Sequence, residues 1–423
     1  MRYSSMIAVA EKIEKRTPLW LYGLLDVPYG VVTTGLLSTS LSFLLRRSGM
    51  GVGEIANTVA LLNLPITFYY LYAPIVDFFF RRKVWAALVG CGAGLLAGVG
   101  LWRLQTHPHQ AVVLIFLGSA LATMVSAASG GMMAALLTKA EKANVGGWIQ
   151  GGNLGVGSLV GGLLLWLAAT HGNGFLGAVI LAACVPPALS ALLVREPHRE
   201  KSGDKLGATF ADMGREMART FFNWKNAPGL LVLASPIGTG AMQQLMGGLT
   251  QEYHASSTQL AFANGWGGGV LTAIGSLCAI LWPVRLNRMI PYVGAAVFYA
   301  AVTGAVAVAP MQASTLIVGL LLSNFATGFA YGCYTGLVLQ TLGEGGKRQS
   351  TKYTLINAIG NFPIVYMAWL CGRVEVHFGP ILGPRSIAGF DALTNVAVVV
   401  LFAVWWFAYG KRVHTPSATP ALL

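Results

Sequence analysis

The stretch Leu61–Trp85, LLNLPITFYYLYAPIVDFFFRRKVW, decides how the chain is read. An apolar run ends in Asp77, the basic cluster Arg81, Arg82 and Lys83 follows at once, and a new apolar run starts at Val84. In a bilayer this is a helix leaving the hydrocarbon, a short charged turn, and a second helix going back. Lys and Arg suffice for an ordinary turn of that kind. A carboxylate at the helix end beside two arginines costs energy without a contact to make, so Asp77, Arg81 and Arg82 read as a gate element touching neighbouring helix ends.

The same alternation runs outward in both directions. The chain is 55% hydrophobic and 10% charged, against about a quarter charged in soluble domains. The 53 glycines suit helices that pack closely in lipid. Twelve spans are expected, beginning near Pro18, Gly53, Val84, Val112, Gly146, Phe175, Leu230, Thr258, Pro291, Ala313, Gln349 and Phe390. The charged stretch Glu11–Arg16 runs into the first span with no small-residue cleavage site, so a removable leader is not expected. With both termini placed inside, only Arg46, Arg47, Arg103, Arg373 and Arg385 of the 28 Lys and Arg fall outside. That asymmetry is the positive-inside rule, and it puts both termini in the cytoplasm. The net charge of +13 is therefore topology rather than a footprint for nucleic acid.

Three parts are expected: residues 1–194 as a six-helix bundle, 195–227 as a cytoplasmic linker, and 228–423 as a second six-helix bundle. In the linker Phe210, Met213, Met217 and Phe221 form an apolar stripe at helical spacing, as in a helix lying on the inner leaflet. The halves also resemble each other. KANVGGWIQGGNLG from Lys142 aligns with KRQSTKYTLINAIG from Lys347, placing Trp148 on Tyr353 and Gly155 on Gly360. Parallel repeats of this kind build two-bundle membrane proteins.

Polar residues inside the spans are the candidate functional groups. Asp26 stands in GLLDVPYGVVTTG, and Asp26, Tyr29 and Thr33 share one helix face. The carboxylate fits either a cavity and coupling role or a solvated helix end beside Lys15 and Arg16. Gln150 and Asn153 lie one turn apart in the glycine-rich fifth span, whose GGNLGVG lacks the preceding strand and following GK[ST] of a nucleotide loop. In the second half the in-span polar residues are Gln243, Gln244, Asn264, Asn324, Tyr331, Tyr334, Asn357 and Asn361. Each fits either a substrate contact or a helix–helix hydrogen bond. Together with Tyr69 they outline a neutral, amide- and tyrosine-lined site suited to a polar or amphipathic solute. Arg46 and Arg47 either are tolerated in their short outer loop or attract an anionic substrate, and Glu252, near the outer end of span 7, is either a second candidate proton carrier or a solvated loop residue. Cys91, Cys184, Cys278, Cys333 and Cys371 occur singly in apolar runs and read as packing residues. His107 and His109 form too small a set for a metal, and no nucleophile–base pair appears in any span. Neither an enzyme, a metal nor a cofactor is expected.

With these residues in place the chain resembles a major facilitator superfamily transporter over essentially its whole length. The run Leu64–Asp77 looks most like the AmpG-type permeases, a peptide and acetyl-CoA transporter group that includes muropeptide permeases and siderophore importers. Phe78–Phe80 depart from the superfamily's loop signature, and Tyr69 stands where muropeptide permeases tend to have Lys. The resemblance implies an all-α inner-membrane protein, monomeric, that couples import of a small solute to protons by alternating access of its halves. Asp26 is then the expected proton carrier. An exporter of the same fold, or a non-transporting sensor or lipid-handling protein, are the alternative readings.

Overall fold

The computed structural model describes residues 17–77, 79–137, 141, 145, 148–196, 211, 214–215, 218, 227–239, 241–282, 289–341 and 349–409. The four apolar linker residues read as an interfacial helix lie outside them. Every element is helical, and twelve segments run in the order the apolar runs predict. Span 1 is Leu19–Arg47, and span 2 is Val52–Phe68 continued by the short turns Tyr69–Leu71 and Ala73–Asp77. Spans 3 to 6 are Arg82–Arg103, Pro108–Leu136, Trp148–Ala168 and Asn173–Ser190. Span 7 is broken into Ala227–Leu233 and Ala241–Met246, and span 8 runs from Ser257 through Ala261–Trp266 to Ile280. Spans 9 to 12 are Met289–Val308, Ala313–Thr341, Gln349–Leu382 and Arg385–Tyr409.

Eight of these helices are by themselves long and apolar enough to cross a bilayer. Large side chains such as Trp102, Leu193, Leu281, Val308 and Phe407 point outward and are exposed. In water such a surface would aggregate; in lipid it is the solvated one.

Span 3 packs on spans 4 and 6, and span 9 packs in the same way on spans 10 and 12. This is the parallel repeat. Between the halves, span 2 lies along span 11 and span 5 lies against span 8. Glycine makes the tightest of these approaches possible. A Cβ on Gly35 would stand 2.6 Å from Gly157 O, and one on Gly161 would stand 2.6 Å from Gly35 O. Gly152 and Gly157 of GGNLGVG, with Gly161 beyond them, thus seat span 5 on span 1, backbone against backbone.

Two departures from straight helices follow from proline and glycine. Span 7 opens between Leu233 and Ala241, where Pro236 lacks an N–H and Gly238 takes φ +66°. Span 2 leaves the α-helix after Phe68, three residues beyond Pro65, and the hydroxyl of Tyr72 caps the Pro65 carbonyl at 3.0 Å. The sequence reading carries one helix through to Asp77; the structure has short turns instead. Wide π-type turns at Val31–Ser40, Gly151–Val156 and Ala261–Trp266 bend spans 1, 5 and 8.

Candidate functional site

A side-chain amide carries two donors and an acceptor, and in lipid all three must be met inside the protein. Here the amides of one half meet the other half. Asn63 of span 2 is wholly buried and donates from Nδ2 to Val59 O at 2.8 Å and to Gln244 Oε1 of span 7 at 3.4 Å. One turn on, Thr67 Oγ1 donates to Asn361 O at 3.3 Å, and Asn361 Nδ2 returns a bond to Ile66 O at 3.4 Å. Then Asn357 Nδ2 donates to Tyr69 Oη at 3.0 Å, while Tyr334 Oη donates to Asn357 O at 3.3 Å. The result is a polar seam running down span 2 against spans 7 and 11. The ring of Tyr331 meets Tyr334 edge-on at 6.4 Å, and Tyr292 lies 6.0 Å from Tyr334 on its other side.

The remaining amides tie helices together. Asn324 Nδ2 donates to Asn264 Oδ1 at 3.2 Å, Thr272 Oγ1 donates to Asn324 Oδ1 at 3.2 Å, and Asn264 Nδ2 reaches Thr39 O at 3.4 Å. Asn153 Oδ1 accepts from Thr34 Oγ1 at 3.1 Å, and Gln150 and Tyr29 are half-buried nearby on spans 5 and 1. The side chain of Gln243 lies outside the described residues.

Asp26 falls where span 1 pauses, ending Leu19–Leu25 and opening the short turn Val27–Gly30, with Pro28 preventing a seamless join. Its carboxyl is 2% exposed, and Ser129 Oγ of span 4 donates to Oδ1 at 3.1 Å. A solvated helix end does not describe this position. No basic side chain among the described residues forms an ion pair with it. Arg82 of span 3 donates from Nη1 to Gly131 O of span 4 at 2.9 Å, two residues beyond Ser129.

The basic turn binds span 4, the end of span 6 and the start of the linker. The backbone N–H groups of Arg82 and Lys83 donate to Glu196 Oε1 and Oε2 at 3.3 and 3.1 Å, and Lys83 Nζ donates to Leu192 O and Val194 O, each at 3.1 Å. Glu196 thereby neutralises the open N-terminal end of span 3. Arg81 is the N-cap of that span, and the side chain of Asp77 lies outside the described residues.

A contact the charge pattern alone does not show joins the two halves where spans 1 and 7 end. Arg46 Nη2, at the end of span 1, pairs with Glu252 Oε1, just beyond span 7, at 2.9 Å. Both side chains keep about a quarter of their surface in water (29% and 27%), so the pair contributes only about 0.2–1 kcal/mol. Glu252→Gln should accordingly raise the reactivity of an outer-face cysteine in the seam by ~1.4- to 5-fold, measured as a labelling rate. Arg47 instead donates to Ala168 O at the end of span 5.

Among the buried polar residues that the sequence reading does not single out are Asn63 and Asp391. Asn63 interrupts the run Val59–Ile66 two residues before Pro65, which is its only signal. Asp391 stands at the membrane edge if span 12 starts at Phe390, but that helix starts at Arg385, and Asp391 is wholly buried.

No family model matches the chain, and no curated protein matches it. Solved structures do. A D-xylose-proton symporter superposes on 92% of this chain and 96% of its own at a TM-score of 0.65, with 14% identity. The nucleoside transporter NupG covers 92% of this chain and 99% of its own at a TM-score of 0.66, with 15% identity. The chain has the major facilitator superfamily fold. The seam of spans 2, 7 and 11 lies between the two repeats.

Proposed function

We propose that the protein is a proton-coupled secondary transporter of the inner membrane that imports a polar or amphipathic small molecule by alternating access. The observation that supports this best is the seam itself. Bonds of 3.0–3.4 Å between side-chain amides, hydroxyls and carbonyls join the halves. Such bonds are worth about 0.6 kcal/mol on average within membranes, so a rocking motion breaks them one by one at low cost. The same groups offer donors and acceptors to a solute that replaces them. Gln244, Asn357, Asn361, Tyr69 and Tyr334 are its proposed ligands, with Tyr331 as an aromatic wall. Tyr29, Gln150 and Asn153 would face it from the first half. Asn264 and Asn324, whose amides are engaged with each other, with Thr272 and, through Asn264, with Thr39 O of span 1, tie the second half together and to the first.

Asp26 is the proposed proton carrier. A buried carboxyl with a serine hydroxyl beside it exchanges a proton at lower cost than one locked in an ion pair. Asp77, Arg81 and Arg82 are the proposed cytoplasmic gate. The bonds of Arg82 and Lys83 to Gly131 and to Glu196 suggest that the gate moves with the first half as one piece.

The substrate class follows from the seam's lack of charge. Hydroxyl-rich neutral solutes fit it, and the structurally similar proteins include a D-xylose-proton symporter and a nucleoside transporter. Muropeptides and siderophores, suggested by the AmpG-like run Leu64–Asp77, are the other candidates, and Tyr69 in place of Lys favours the less anionic of them. Uptake of a pentose, a nucleoside, a muropeptide and a siderophore into proteoliposomes under an imposed pH gradient tests the proposal. Accumulation of one of them, collapsed by a protonophore, is the expected result; uptake of none, or uptake indifferent to the protonophore, refutes it. Asn357→Ala should then weaken binding of that solute about tenfold while leaving the amount of folded protein unchanged. Equal loss of both would assign the amide to helix packing.

A further inference from the structure

The second half contains a buried carboxyl that the coupling scheme does not use. Asp391 of span 12 is 0% exposed, as are Asn395 one turn on and Tyr299 of span 9. Asn395 Nδ2 donates to Asp391 O at 2.9 Å and to Asp391 Oδ1 at 3.4 Å. Asp391 Oδ2, Asn395 Oδ1 and Tyr299 Oη are buried without a well-formed hydrogen bond, while Tyr299 and the backbone N–H of Met242 stand against the carboxyl. A buried polar atom without a well-formed hydrogen bond calls for an explanation, such as a bound proton, water or ion.

The surroundings decide what. Span 9 presents Tyr299 to the carboxyl, span 11 presents Tyr366 and Cys371, and the helix Ala241–Met246 presents the backbone N–H of Met242. The helix Ala227–Leu233 brings no titratable side chain, and on span 12 itself Arg385 is turned to Ala309 O at 2.8 Å. No Lys, Arg or His among the described residues faces Asp391. An ionised carboxylate at this depth without a cation is among the most expensive arrangements in a membrane protein. A metal ion would need about six or more oxygens to replace its hydration shell, and only these three lack a well-formed bond here. A proton needs one acceptor.

We propose that Asp391, with Tyr299 Oη and Asn395 Oδ1 as its oxygen neighbours, is a second proton-binding site, located in the C-terminal half and separate from Asp26. A proton on Oδ2 can donate to Tyr299 Oη, which faces the carboxyl, and so satisfies both atoms at once. Met242, which adjoins the carboxyl, is two residues from Gln244 of the seam and follows directly on the break in span 7. Release of the proton would place an unpaired charge beside that break, so the site communicates with the seam through span 7. The assignment does not depend on Asp26 being the coupling residue.

Infrared difference spectroscopy of the purified full-length protein tests it, because a protonated carboxyl in an apolar site gives a C=O stretch that ionised carboxylates lack. The wild type should show such a band at neutral pH, shifted by exchange into D2O. Asp391→Asn should remove it, while Asp26→Asn should leave it in place. Asn has nearly the shape of the protonated acid, so Asp391→Asn should also keep the thermal midpoint of the wild type. Tyr299→Phe, which deletes one acceptor but no carboxyl, should shift the band rather than abolish it. Three results would overturn the proposal: an unchanged band in folded Asp391→Asn, no protonated-carboxyl band in the wild type, or a thermal stabilisation by Na+ that Asp391→Asn abolishes.

Discussion

Asp26→Asn should reduce solute accumulation under a pH gradient to the equilibrium level, while exchange of labelled for unlabelled solute continues. The reasoning starts from burial. Asp26 is 2% exposed, its carboxyl accepts from Ser129 at 3.1 Å, and it forms no ion pair among the described residues. Asn keeps the shape and the serine contact but cannot release a proton. The substitution therefore removes net proton movement and leaves the rocking of the halves intact, which is all that exchange requires. Ser129→Ala makes a graded companion: it deletes the one hydroxyl on the carboxyl, so the pH at which transport is half-maximal should move while the maximal rate changes less. The comparison is made in proteoliposomes, with and without a protonophore. Accumulation by Asp26→Asn at the wild-type level would remove this residue from coupling, and Glu252, held by Arg46 on the outer side, would not replace it without first leaving that pair.

The second large effect concerns folding rather than transport. A Cβ at Gly157 would stand 2.9 Å from the Cβ of Thr34 and equally close to the backbone carbon of Gly30. Neither has a flexible tip that can swing aside. Gly157→Val should therefore push span 5 off span 1, at a cost of about 1–3 kcal/mol or more, and lower the ratio of folded to unfolded protein by ~5- to 160-fold. Gly155, two residues away, has nothing within 4 Å of its missing Cβ. Gly155→Ala should leave the thermal midpoint unchanged. Equal stability of the two variants in detergent would show that the glycine contacts do not set the distance between these spans.

The spans were legible because an apolar run long enough to cross a bilayer and a basic turn are both properties of contiguous sequence. Among the described residues the helices begin within about five residues of the expected points. The break in span 7 was written in Pro236 and Gly238 but was hidden by the apolar residues around them. Partners were harder to read. Asn63 and Gln244 are 181 residues apart, and Tyr69 and Asn357 are 288 apart. Composition announces that such amides need partners but not which ones they find. The polar face of the second half therefore split in two once its bonds were known: Asn357 and Asn361 joined the seam, whereas Asn264 and Asn324 joined each other. Asp391 was missed for a different reason. Its burial depends on where span 12 begins, and five residues at a helix start separate a membrane edge from an interior.

The central claim is that the halves move against each other about the seam. Spin labels at Ser48→Cys and Thr258→Cys, beyond span 1 and at the start of span 8, report the distance between the outer ends of the halves in a background free of the five native cysteines. Double electron–electron resonance should give two distances, the shorter one matching the arrangement in which Arg46 holds Glu252, with Glu252→Gln enlarging the longer population. A single narrow distance, unchanged by Glu252→Gln and by every solute offered, would contradict alternating access in this protein.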